Sequence, residues 1–81
     1  MKRNPHQIKV VFKKLKDARG YYTNNPQLIE IDKTLKDLEL LDTLIHEFTH
    51  HLQPYLDEDV VEMIGNEMSA FLWRHNYRKV Q

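Results

Sequence analysis

No cysteine occurs in the 81 residues. This excludes disulfides and thiolate zinc sites, so a bound zinc has to be held by nitrogen and oxygen. It also fits a cytoplasmic setting. With only two glycines and three prolines, the chain is neither low-complexity nor collagen-like. No apolar run approaches the ~20 residues that span a membrane. The start, Met1-Lys2-Arg3-Asn4-Pro5, lacks the apolar stretch of a signal peptide. Charge of one sign is absent overall, since twelve Lys/Arg balance twelve Asp/Glu. The balance is uneven along the chain: residues 1–20 carry seven Lys/Arg against one Asp, whereas residues 21–81 carry five against eleven acids. A basic start can touch nucleic acid or an acidic partner, and it can equally be a solvated strand face.

What is present suits one small globular domain spanning 1–81: 41% of residues are hydrophobic and 30% charged. A chain this short has a small core and draws stability from a metal, a partner or tight packing. Ile8 to Leu15 is rich in β-branched residues and reads as a strand. Tyr21-Tyr22-Thr23 is a short second strand, followed by turn chemistry at Asn24-Asn25-Pro26. Gln27 to Asp32 alternates apolar and polar residues as a half-buried strand does. A helix follows, capped by Thr34 or Asp37, with apolar residues at Leu38, Leu41, Leu44, Ile45, Phe48 and Leu52. Pro54 ends it. Asp57 is the expected cap of a second helix from about Glu58 to about His75, with an apolar stripe of Val60, Val61, Ile64, Met68, Phe71 and Leu72. The residues after it read as a frayed tail. The expected class is therefore α+β, a small, mostly antiparallel sheet of two or three strands packed on two main helices.

His46-Glu47-Phe48-Thr49-His50 is an H-E-x-x-H pattern within the first helix. Residues four apart share a helix face, so His46 and His50 present two imidazoles to one Zn²⁺. Glu47, one residue round, stands where a general base for a zinc-activated water belongs. Both histidines lie opposite the apolar stripe, with Glu39 and Thr43. A catalytic zinc takes a third protein ligand. The candidates are Glu58, Glu62, Glu67, His75 and His51. Glu67 lies within about 60° of the second helix's stripe, whereas Glu62 and Glu58 lie off it. A carboxylate on the packed side needs a partner, which favours Glu67, with His75 next. Glu39 or Asp42 is placed to orient a ligand histidine. His51, Tyr55, His75 and Tyr77 are candidate oxyanion donors. The strand Leu28 to Asp32 is expected to offer a sheet edge to an extended peptide.

Leu41 to His50 resembles the active-site helix of zincin metallopeptidases. Asn66-Glu67-Met68-Ser69-Ala70 is similar to the N-E-x-x-A/S stretch of the gluzincin branch, as in thermolysin-like enzymes. The resemblance implies a minimal zincin-like core with His46, His50 and Glu67 as zinc ligands, Glu47 as base, and a peptide or protein as substrate. Residues 8–78 also resemble very short H-E-x-x-H proteins of phages and bacteria. These carry an I-x-I-D strand, as at Ile29 to Asp32, before an L-x-T-L-I-H-E helix. Two other readings stand beside the peptidase: a non-catalytic module in which zinc fastens two helices, and a nucleic-acid-associated protein using the basic N-terminal strand, by analogy with SprT-type zincins. The sequence carries no indication of oligomeric state.

Overall fold

The computed structural model describes residues 7–78. The fold is α+β: strands β1 (Lys9–Lys13), β2 (Gly20–Asn24) and β3 (Gln27–Asp32) precede helices α1 (Asp37–Leu52) and α2 (Glu58–Arg74). The three strands form one sheet in the order β1-β3-β2. β2 and β3 form the antiparallel hairpin expected from Asn24-Asn25-Pro26, whose Asn25–Pro26 peptide is cis. β1 instead runs parallel to β3, so the sheet is mixed. Alternation fixes which face a side chain takes; it leaves strand direction to the connections. Here β3 inserts between the first two strands, because Ile29 and Ile31 supply the apolar face that α1 covers. Both are essentially inaccessible to water. Val10 and Phe12 of β1, and Gly20 and Tyr22 of β2, stand opposite these isoleucines in register and share their face.

The layers run sheet, α1, α2. α1 packs on β2, β3 and α2, whereas α2 packs on α1 alone. Val61 joins Ile29 and Ile31 as the only fully buried apolar side chains among the described residues. α2 turns Val61, Gly65 and Ser69 inward, a line of residues spaced by four. Gly65 lets the helices close up: a Cβ there would stand 2.6 Å from Asp42 Oδ1 and 3.3 Å from the Asp42 carbonyl oxygen. The hydrophobic stripe read from the sequence is thus turned partly away from α1, leaving its Met68 and Phe71, and Met63 beside it, about half exposed.

The helix ends also differ from expectation. Thr34 does not cap α1; its N–H donates to Asp32 Oδ1 (3.2 Å). Lys36 occupies the cap position and Asp37 takes a left-handed φ of 57°. Asp57 does hold the cap position of α2, without a side-chain bond. Asn76 to Arg78 fold back onto the end of α2. Asn76 is left-handed (φ 69°), and the N–H groups of Asn76 and Tyr77 donate to the carbonyls of Trp73 (3.0 Å) and Leu72 (2.9 Å). That is a Schellman ending. Arg78 adds bonds to the Trp73 carbonyl and stacks 4.2 Å over its ring. Lys2, Arg3 and the last three residues lie outside the described residues. Within them, Lys9, Lys13, Lys14, Lys16 and Arg19 are exposed, and Lys13 pairs with Glu30 at 3.2 Å. No helix among the described residues is long and apolar enough to cross a membrane.

Candidate metal centre

α1 carries His46 and His50 one turn apart on its polar side, as the spacing requires. Their rings meet edge to face with centroids 4.9 Å apart. Each Nε2 lies 3.0 Å from a different oxygen of one carboxylate: His46 from Oε2 and His50 from Oε1 of Glu58. His46, His50 and Glu58 can each point one ligand atom into a cluster with no separation above 4.8 Å. Tetrahedral zinc with bonds near 2.0–2.1 Å holds neighbouring ligand atoms about 3.4 Å apart. The cluster fits that spacing with small side-chain movements. Its donor set of two imidazoles and a carboxylate also suits zinc. The histidines are largely shielded while Glu58 is exposed, so the cluster opens to solvent on the carboxylate side.

Glu67 is not at this site. It is exposed on the far side of α2, where it lines a shallow groove with Met68, Ala70, Phe71, Leu72 and Arg74. The physical reason is the rotation of α2. The inward line is Val61-Gly65-Ser69, and Glu67 stands about 200° round the helix from Gly65. Glu58, seven residues before Gly65, falls on the inward line and reaches the histidines. Glu62 follows one turn later and lines the same cleft without joining the ligand cluster. His75 is exposed and stacks on Phe71, 4.6 Å between centroids. The signal for Glu58 was the run of small residues at Gly65 and Ser69, which marks where two helices approach closely.

Glu47 is buried behind the histidines, 8% exposed. β2 makes room for it: a Cβ on Gly20 would lie 3.1 Å from Glu47 Cγ and 3.0 Å from Thr43 Cγ2. Burial raises the Glu47 carboxyl above the usual glutamate range, and nearby Glu58 pushes the same way. His46 and His50, when charged, oppose this. A buried carboxylate with a raised pKa beside two imidazoles is the kind of group that takes up a proton in a cleft.

Two clefts meet at Gly20, His46, Glu47 and Glu58. One, about 230 Å³, is also lined by Arg19, by Asp42 and Thr43 of α1, and by Glu62 and Asn66 of α2. The other, about 400 Å³, continues past Tyr21, Tyr22, His50 and Pro54. Together they form a groove over the polar face of α1. Its sheet-side wall is β2, an outer strand of the sheet. The strand from Leu28 to Asp32, expected to offer an edge, is instead central and paired on both sides. Asp42 lies in the groove beside His46 on the Gly65 side, whereas Glu39 pairs with Arg19 at 3.3 Å. Of the proposed oxyanion donors, Tyr55 is 97% exposed, and His51 Nδ1 engages the Tyr22 hydroxyl at 3.3 Å. Arg19, Tyr21 and Tyr22, to which sequence reasoning assigned no role at the site, are polar side chains that β2 and its approach bring to the groove.

A scan against models of protein families and a search of curated proteins found no match to this chain.

Proposed function

We propose that this chain is a zinc-dependent hydrolase of peptide bonds, with zinc held by His46, His50 and Glu58 and with Glu47 as the general base. The observation that carries the reading is the convergence of both imidazole Nε2 atoms on the two oxygens of Glu58, with Glu47 buried alongside in the same groove. When bound, zinc lowers the pKa of a coordinated water towards about 7 and polarises a carbonyl. Glu47 Oε accepts a proton from the attacking water and returns it to the leaving amine. Its shielded position, between the body of α1 and Gly20 of β2, limits exchange of that proton with bulk solvent. β2 offers backbone N–H and C=O groups on its outer side, so an extended peptide can add to Gly20–Tyr22 as a further strand and lie across the groove. The lack of cysteine agrees with a cytoplasmic setting for this activity.

One observation favours a second reading. α2 is held to the rest of the chain through α1 alone, so a metal joining Glu58 to both histidines also fastens the outer helix. Zinc-loaded parent and Glu47→Gln separate the two. The hydrolase reading expects both to hold zinc and fold alike, with cleavage of a mixed peptide library by the parent only. Zinc binding without cleavage by either protein leaves the fastening role and refutes the hydrolase.

A further inference from the structure

The geometry points to a homodimer formed by antiparallel packing of α2 against α2 of a second copy, with Phe71 near the two-fold axis. α2 is the outermost layer, with α1 on one side and no strand on the other. Its outward side nevertheless carries three large apolar side chains among the charged ones. Met63, Met68 and Phe71 are 56%, 49% and 53% exposed, and Met68 and Phe71 line one groove, so large apolar side chains stand in water on this side of the helix. The patch lies away from the histidine cluster and does not depend on the hydrolase reading.

The occupant follows from charge. Glu67 and Arg74 are seven residues apart and therefore share a face, and they line one groove with Met68 and Phe71. Charged contacts among the described residues join Lys13 to Glu30 and Arg19 to Glu39, and Glu58 engages the two histidines; Glu67 and Arg74 take part in none of these. The Arg74 guanidinium lies 5.7 Å from the centre of the Phe71 ring, which keeps it on the patch. A two-fold axis between Ala70 and Phe71 sets each Glu67 opposite the partner's Arg74, twice over, and brings the two phenylalanines together. One acid and one base placed symmetrically about an apolar centre make a surface complementary to itself, which is what an isologous dimer requires.

Sedimentation equilibrium of the full chain from roughly 5 to 200 µM tests this, with circular dichroism as a folding control. The parent should reach twice the 9.8 kDa of one chain. Phe71→Asp should remain at the single-chain mass. Glu67→Arg should weaken dimerisation at least ~10-fold, and Glu67→Arg combined with Arg74→Glu should bring it back to within ~3-fold of the parent. All three positions altered, Glu67, Phe71 and Arg74, are exposed, so the variants should give the parent's helical spectrum. A parent that stays monomeric at the top concentration overturns the proposal. So does a dimer indifferent to Phe71→Asp, or a charge reversal that the second substitution fails to rescue.

Discussion

Gly20→Ala tests the account where β2 meets the base. The added methyl carbon would stand 3.0 Å from Thr43 Cγ2, 3.1 Å from the Glu30 carbonyl oxygen and 3.1 Å from Glu47 Cγ. All three separations are shorter than ordinary carbon contacts of about 3.5–4.0 Å. The carbonyl belongs to the central strand, and Thr43 and Glu47 are both buried, so relief has to come from β2 or α1 shifting. Overpacking of this kind costs about 1–3 kcal/mol. Against it stands the loss of glycine's freedom in the unfolded chain, which stabilises by about 0.4–1 kcal/mol where alanine fits the backbone. The net is a loss of about 1 kcal/mol, or a melting temperature lower by about 4–8 °C for a domain of this size. Thermal unfolding followed by circular dichroism in the presence of a chelator measures it. Because the methyl group presses on Glu47 and not on the ligands, zinc affinity should change little while peptide cleavage falls. A melting temperature above the parent's would refute the close packing of β2 on Glu47.

Three further outcomes follow from the same structure. Val61→Ala removes two methyl groups' worth of packing from one of the three fully buried apolar positions among the described residues; urea unfolding should show a loss of about 2 kcal/mol, and a loss below about 0.5 kcal/mol would mean that α2 is not packed inward at this residue. Asp32 accepts the Thr34 N–H, which holds its carboxyl below the usual aspartate range. With the folded value depressed, its contribution to stability is present above the ordinary aspartate range and lost as pH falls through the folded value; NMR titration should show the lowered midpoint, and Asp32→Asn should remove that part of the acid dependence. Asn76→Val puts a β-branched residue at a left-handed position and should cost about 1 kcal/mol or more by thermal unfolding, whereas no loss would argue against the helix ending at Asn76.

The parts legible in the sequence were those that depend on one periodicity at a time. Alternation at Gln27 to Asp32 picked out the strand whose Ile29 and Ile31 become the core, and a four-residue step put His46 and His50 on one side of α1. The hairpin at Asn24-Asn25-Pro26 was equally local. Two features depended on how elements meet, and these were not legible. β1 joins the sheet parallel to β3, because the sheet face of Val10 and Phe12 is fixed by their period but their direction is not. α2 is rotated from its hydrophobic stripe because close helix approach selects small residues, Gly65 and Ser69, over large ones. That rotation moved the acid beside the histidines from Glu67 to Glu58. It also left Met68 and Phe71 facing outward, about half exposed.

Zinc affinity of three proteins, measured by competition with a chromophoric chelator, bears most directly on the metal cluster. The parent should bind one zinc per chain, Glu58→Ala should bind at least ~100-fold more weakly, and Glu67→Ala should match the parent. No zinc bound by the parent, or zinc lost from Glu67→Ala but kept by Glu58→Ala, would contradict the arrangement of His46, His50 and Glu58 around one ion.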